Sequence, residues 1–459
     1  GKTNPTGVLS VSGFDQTIDC KEDTANQATI DFKAVFAPYL VFFSGGLQGL
    51  LPSKQLDAAL NANSDLEKTN QTVDLTAGSN NPAAYKGTDT FDHIIVGTGP
   101  YVLQNYTPTK SITYVRNMNY WNKNHQPSLD KIVFNIVGDV QAQLTAVKAG
   151  QLDFGLDYRL AFLNQLNTVA AGGKVAVETI PESGAERIDV NICASPSTKG
   201  LCGADAKVPV CCTSDVKFRK AMLEAINRQS IVDNIAAGKT VIPQDSFLYL
   251  GAEYIKAPAS DNPMTAYSVT QAQSDLDAAG YKISPSCHGG QGRADTKGKC
   301  IDLDFVTTSG NPARAQAQVA IQQDLQKVGI FTNISTVKAG KLFGTFSDGG
   351  TLYTHAFDLA MYTNTLGGPG EPDTAYPVYH GDCGGTCPSQ IQIPSKANSG
   401  QGQDDTGENN ATVDKDLDTA RLSLDLTVRA ASYKDAEIQL AKDLPELPLY
   451  QQVTVNSYS

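Results

Sequence analysis

The residues best equipped for chemistry are nine cysteines and five histidines. Most of the cysteines lie in Gly-, Ser-, Pro- and Lys-rich stretches such as SPSCHGGQGRADTKGKC and GDCGGTCPSQ. Clustered loop cysteines of this kind form disulfides in an oxidising compartment. The expected pairs are Cys287 with Cys300 and Cys383 with Cys387. Cys193, Cys202, Cys211 and Cys212 form a local group of four, with three connectivities open to it. Cys20 is left over, and its partner is expected in residues outside this chain. Zinc is the rival reading, with Cys383-x3-Cys387 as half a site. Zinc ribbons need two close pairs at regular spacing, and the sequence has no such arrangement. His380 stands near Asp382 and Cys383, where a free thiol would make a thiol–imidazole pair. A loop disulfide beside a surface histidine is the expectation instead. His93, His125, His288 and His355 show no metal-ligand spacing.

Other chemistries find little support. Gly97–Thr98–Gly99 in VGTGPY looks like a dinucleotide fingerprint, but Val102 stands where a small residue is needed and a strand follows instead of a helix. It reads as a structural turn. No GxSxG, HExxH or P-loop occurs, and no pair of carboxylates stands out as a glycosidase pair. No enzyme activity, cofactor or metal is expected. Two stretches read as ligand-facing, because ligands in α/β sheets sit beyond the carboxyl ends of strands. Asp157, Tyr158 and Arg159 follow one strand. Tyr362, Thr363, Asn364 and the loop to Asp373 follow another. The tyrosines would stack on a ligand, and Arg159 or Asn364 would hydrogen-bond it. The bland alternative is packing tyrosines and a solvated arginine.

Periodicity supplies the elements that hold these residues. Residues 1–90 read as strand- and loop-rich, with apolar runs at 27–32 and 34–43, a short helix at 52–60 and a polar loop at 61–90. Strands follow at 101–106, 111–116 and 131–137. Asp139 caps a helix with Val140, Leu144 and Val147 on one face, ended by Gly150. Strands at 152–156, 174–179 and 186–192 flank a helical stretch at 160–170. The cysteine loop 193–212 marks a boundary. Beyond it a helix from Asp215 runs to about Gly238, and helices at 270–279 and 312–328 alternate with strands at 301–307, 330–337 and 357–362. Residues 395–410 read as a polar loop, followed by helices at 413–424 and 427–444 and a last strand at 447–455. Strands alternating with helices give an α/β class with mixed or parallel sheets.

The totals bound the partners. The 459 residues suffice for two or three domains, and 41% are apolar. The net charge of −12 leaves no basic stripe for nucleic acid. No apolar run is long enough to span a membrane. The opening GKTNPTG lacks the regions of a signal peptide, so with cysteines of this kind a removed segment is expected.

The chain resembles the peptide/nickel/oligosaccharide class of extracellular solute-binding proteins that serve ABC importers. VGTGPYVLQNY followed by ITYVRNMNYW is similar to the family's GTGPY turn, strand and R-N-x-x-Y-W signature. KIVFNIVGDVQAQLTAVKAGQLDFGLD, DVKFRKAMLEAINRQSIVDNIAAGK, Tyr267 to Gly280–Tyr281, GQDDTGENNATVD and YKDAEIQLAKDLPELPLY resemble later family segments, in the right order. The resemblance runs from about Gln27 almost to the end. It implies a bilobed, class II periplasmic-binding-protein-like α/β fold with mixed sheets and an inserted subdomain. Residues 1–90 would be the remainder of that subdomain, 91–212 lobe I, 213–445 lobe III, and 446–459 a return to lobe I. Strands 186–192 and 447–455 would cross the hinge.

The resemblance also implies a bacterial protein at the cell surface or secreted, monomeric, touching the membrane only through a removed lipid anchor. Its partners would be a small-molecule or peptide ligand and an ABC transporter permease. About a hundred residues that the family carries before Gln27 are not seen. The family's peptide binders also place a Trp and, three residues later, an Asp for the peptide's α-ammonium before an E/D-P pair. Here that pair is Glu371–Pro372, and the two positions hold Thr365 and Gly368. A buried ammonium without a carboxylate is costly, so an oligosaccharide held by Thr363 and Asn364 stands beside the peptide reading. A shift of the loop would bring Glu371 or Asp373 into the anchoring place.

Overall fold

The structure is a computed structural model and describes residues 16–24, 27–39, 99–107, 109–158, 162–173, 175–193, 201–202, 212–234, 266–365, 372–387 and 390–458. The chain divides into two compact units, one of residues 1–39 with 156–458 and one of residues 40–155. The expected helix at 52–60 and loop at 61–90 lie outside the described residues, as do residues 40–43 of the run 34–43. The described part of that run contains no strand; residues 37–39 make a single tight turn.

The first unit opens with a hairpin of β1 (Thr17–Thr24) and β2 (Gln27–Phe32). In the other unit, β3 (Tyr101–Thr107), β4 (Ser111–Arg116) and β5 (Lys131–Asn135) form an antiparallel three-stranded sheet. The GTGPY corner is fastened there by Asn117, whose Nδ2 donates to Gly99 O at 3.0 Å, while its backbone N–H donates to Pro100 O at 2.8 Å. Helix α1 (Val140–Lys148) follows, with Asp139 accepting the Ala142 N–H at 2.7 Å. Gly150 stops it at φ 70°, the left-handed conformation that glycine adopts without penalty.

The chain continues through β6 (Phe154–Tyr158), α2 (Leu163–Ala170) and β7 (Ala176–Val190). The two strands expected at 174–179 and 186–192 are one continuous strand. Helices α3 (Val216–Ala225) and α4 (Arg228–Asn234) replace the single helix expected from Asp215. Asn227 causes the break. Its side chain accepts the Ser230 N–H at 2.9 Å and starts a new helix, while Ile226 turns extended at ψ 118°. Then come α5 (Val269–Ala278), the short hairpin β8 (Lys282–Ile283) and β9 (Arg293–Ala294), β10 (Asp302–Thr308), α6 (Pro312–Lys327) and β11 (Phe331–Val337). The chain ends through α7 (Ala339–Leu342), β12 (Leu359–Thr365), α8 (Tyr376–Tyr379), α9 (Ala411–Leu422), α10 (Leu426–Asp443) and β13 (Glu446–Tyr458).

Six strands form the main sheet of this unit, in the order β11-β10-β12-β7-β13-β6. β10 runs parallel to β11 and to β12, whereas β7 is antiparallel to both β12 and β13. β7 and β13, at 15 and 13 residues, are its longest strands. Side-chain alternation divides the sheet into two faces. On one, Ile188, Val190, Leu303, Phe305, Leu359 and Met361 pack with Phe218, Met222, Ile321, Leu417, Tyr433 and Leu440 from the helices. The other face carries Val306, Ala360 and Tyr362 against Leu342, Leu352 and Phe357.

Candidate functional site

The carboxyl ends of the parallel strands β10, β11 and β12 meet the N-terminus of α6, and a polar cluster is built there. Asn311 caps α6, accepting the Arg314 N–H at 3.2 Å, and this places the Arg314 side chain over the strand ends. Its guanidinium grips Glu186 on β7 with both arms, Nε to Oε1 at 2.5 Å and Nη2 to Oε2 at 2.9 Å. It also donates to Thr308 Oγ1 at the end of β10 and to Thr363 Oγ1 on β12. Thr363 in turn donates to Glu186 Oε2 at 2.6 Å, and Gln452 Nε2 on β13 donates to the same oxygen at 2.8 Å. Burial works against the Arg314 charge, but the Glu186 carboxylate more than offsets it and holds the guanidinium above its ordinary value. The pair is neutral as a unit and ringed by hydroxyl and amide groups. Glu186 and Arg314 are themselves buried, at 0% and 9% exposed, and only Thr363 and Gln452 are partly exposed beside them.

A second network sits on the opposite face. Arg187, 2% exposed, lies between Asp189 at 2.7 Å and Glu446 at 2.5 Å. Tyr362 OH donates to Asp189 Oδ2 at 2.5 Å, and Tyr379 OH donates to Glu446 Oε2 at 2.9 Å. Asp405 completes the group from the 395–410 segment. Burial drives its carboxyl well above the carboxylate range, and the Asp189 charge adds to the effect. Burial likewise lifts Glu446 to about 8, although Arg187 pulls it down. Three acids therefore surround one guanidinium in the core.

The sequence-derived candidates fall out as follows. Tyr158 is not ligand-facing here: it is 1% exposed, and its hydroxyl accepts from Ser457 Oγ at 3.3 Å. The Asp157 side chain, Arg159 and Glu371 lie outside the described residues, as does the Thr365 side chain. Tyr362, Thr363 and Asn364 do not form one ligand-facing run. β12 continues through Thr365, so alternation sends Tyr362 and Asn364 to one face and Thr363 to the other. Tyr362 is 6% exposed and spent on the Arg187 network, while Thr363 belongs to the Arg314 cluster. Asp373 is held bidentately by Arg421 at 2.8 and 2.7 Å, and that guanidinium stacks 3.4 Å over the Tyr376 ring. Asp373 is thus tied into a structural ion pair.

Glu186, Arg187, Asp189, Arg314, Gln452, Asp405 and Glu446 were not singled out from the sequence. A signal was present in Glu186–Arg187–Ile188–Asp189, three charges inside an otherwise strand-like run. The polar segment 395–410 also differs from expectation, since Asp404, Asp405, Thr406 and Glu408 are all at most 3% exposed.

The disulfides bear out both sequence pairings, Cys287–Cys300 and Cys383–Cys387, and add Cys193–Cys202 from the group of four. Cys212 is buried in the main core. Cys211 and the Cys20 side chain lie outside the described residues. His380 is not a surface residue: it is 0% exposed, with its ring stacked on Tyr376.

Comparison with known proteins matches residues 8–386 to the model for bacterial extracellular solute-binding proteins, family 5 Middle. The nickel-binding periplasmic protein of Escherichia coli is 23% identical over 373 residues, covering 80% of this chain. The chain spans 62% of that relative's length. Among solved structures, the oligopeptide-binding protein of Thermus thermophilus complexed with a pentapeptide superposes with a TM-score of 0.70 at 20% identity, over 100% of this chain and 74% of that one. NikZ from Campylobacter jejuni in complex with Ni(L-His) gives 0.68 at 17% identity, over 97% and 74%. These likenesses give the chain the α/β fold of periplasmic binding proteins. With its sequence matched over most of its length, the chain belongs to the bacterial extracellular solute-binding proteins of family 5.

Proposed function

We propose that the chain captures a small solute outside the cytoplasm and delivers it to the permease of an ABC importer, without catalysis. The match to the family over residues 8–386 carries this reading. Three disulfides among the described residues support an oxidising, extracytoplasmic setting. The long strands β7 and β13 support a hinge. In the main sheet β7 lies between β12 and β13, and β13 lies between β7 and β6. In this reading residues 91–212 form lobe I, 213–445 lobe III and 446–459 the return, with residues 1–90 in the inserted subdomain.

Peptide is the leading ligand class, supported by the pentapeptide complexed with the oligopeptide-binding protein of Thermus thermophilus. A neutral oligosaccharide is the second reading, favoured by one observation: Asp373 is committed to Arg421 and offers no spare carboxylate for an α-ammonium. A thermal-shift panel of di- to pentapeptides, oligosaccharides and Ni2+ tests both. A ligand at about 100 times its dissociation constant adds about 2.7 kcal/mol. Shifts with peptides support the leading reading, and shifts confined to glycans overturn it. Turnover of any panel member by pure protein would overturn the non-catalytic assignment.

A further inference from the structure

Among the described residues, two groups of cysteine and histidine lie close enough to hold a metal: Cys193, Cys202 and His355, and His380, Cys383 and Cys387. In each the cysteines are joined as a disulfide. Geometry separates the two. His355 has both ring nitrogens against carbonyl oxygens, Nδ1 to Asp405 O at 2.8 Å and Nε2 to Pro394 O at 3.0 Å, so neither is directed at the sulfurs. A Cβ on Gly407 would meet both sulfurs at 2.9 and 3.0 Å, so the backbone there closes over them.

His380 differs. Its Nδ1 donates to Gly381 O at 2.9 Å, which turns Nε2 the other way. Nε2 faces Cys383 Sγ at 3.9 Å and Asp418 Oδ1 at 3.5 Å. A backbone carbonyl on one imidazole nitrogen and a ligand set on the other is how metal-binding histidines are oriented. The CGGTC loop is also held without its disulfide. Asp414 accepts the N–H groups of Gly381 and Cys383, each at 2.7 Å, and Asp382 O accepts those of Gly385 and Cys387 at 2.9 and 3.0 Å. Gly384 and Gly385 take left-handed φ of 66° and 89°, which lets so short a loop turn back on itself. Both glycines and Thr386 are exposed, giving an ion a way in.

We propose that His380, Cys383 and Cys387 form a redox-gated site for a thiophilic divalent cation of the zinc class. In the oxidised chain the disulfide keeps it shut. A low-molecular-weight thiol attacks Cys387 Sγ, and Cys383 leaves as a thiolate beside His380 Nε2. A second thiol resolves the mixed disulfide and departs with the first as their oxidised dimer, so two electrons reach the protein. The cation then binds two thiolates and the imidazole, with a water oxygen as the fourth ligand, and the thiol protons pass to solvent. Sulfur, nitrogen and oxygen donors in this number suit tetrahedral zinc.

The test reduces the full chain with a phosphine, removes the reductant anaerobically and titrates with Co2+ as a coloured stand-in for Zn2+. A thiolate-to-cobalt charge-transfer band with tetrahedral ligand-field bands is expected, displaced by Zn2+ and absent from the oxidised chain. Cys383→Ser with Cys387→Ser abolishes it, as does His380→Ala, whereas Cys193→Ser with Cys202→Ser keeps it. No band in the reduced wild type overturns the proposal, and so does a band that outlives the Cys383/Cys387 substitutions. The wild type also carries a test that needs no variant. Alkylation of the reduced chain is mapped with and without Zn2+, and Cys383 and Cys387 must be protected relative to Cys287 and Cys300. Equal labelling of the four overturns the site.

Discussion

Replacing Arg187 by methionine removes the single guanidinium that faces Asp189 at 2.7 Å and Glu446 at 2.5 Å in the core. Methionine fills much of the volume, so the loss is chiefly of charge. Two buried carboxylates lose their counter-ion, and breaking a buried pair in this way costs about 3–5 kcal/mol. The pH dependence has a defined sign. In the wild type the Glu446 carboxyl lies at about 8, above its ordinary 4.5. Across that window the folded chain holds a proton that the unfolded chain has released, so stability falls as pH rises from 4.5 towards 8. Without Arg187 the Glu446 and Asp405 carboxyls hold their protons more tightly, and the fall extends to higher pH. The deficit of Arg187→Met is therefore larger at about pH 8 than at about pH 5.

Urea unfolding followed by far-ultraviolet circular dichroism measures this. The one tryptophan, Trp121, lies in the other unit and would not report it. The triple variant Arg187→Met, Asp189→Asn, Glu446→Gln removes the charges together and recovers more than half of the loss, since neutral replacement of a buried ion group is often close to neutral in stability. A deficit below about 1 kcal/mol, a deficit equal at the two pH values, or a triple variant as unstable as the single one would refute the reasoning.

Two further outcomes follow from local geometry. Thr109 sits at φ 61° in the turn between β3 and β4, a conformation that costs a β-branched residue about 1–2 kcal/mol. Thr109→Gly should stabilise that hairpin by up to about 1 kcal/mol, read as slower hydrogen exchange of its amides, while Thr109→Val should not. Cys287 and Cys300 close a loop with a sequence separation of 13, and Cys287 is fully buried. Replacing both by alanine should cost about 3 kcal/mol in the same urea assay.

Much of the backbone was legible because local chemistry dictates it. Asp139, Asp215, Asn311 and Asp425 each cap a helix with a side-chain oxygen. Gly150, Gly280 and Gly329 stop helices with left-handed φ of 70°, 92° and 82°. Both rules act within a few residues, so sequence spacing reveals them. Where the expectations failed, local signals competed. Asn227 reads as a tolerable helix residue, yet its side chain is better spent starting a new helix. Residues 395–410 look like a surface loop by composition, yet six of their polar residues are buried. Their backbone and carboxylates find partners that only the folded chain provides, such as the Gly407 and Glu408 N–H groups on Asp404 at 2.9 and 3.1 Å.

Tyr362, Thr363 and Asn364 do not share one surface, for a related reason. A strand's end fixes which side chains point together, and β12 runs past the expected end at 362, which turned one presumed surface into two opposite ones. The sequence by itself determined the family, the alternation of strands and helices, and two of the disulfides, because these depend on motifs and short-range spacing. Only the tertiary structure decided that Arg187 and Arg314 occupy opposite faces of one sheet. It also set which acids each arginine holds and placed the buried His380 Nε2 beside Cys383. Arg187 and Glu446 stand far apart in the chain, and the energy of a buried charge is set by the partners the fold brings within hydrogen-bond reach, which no local pattern encodes.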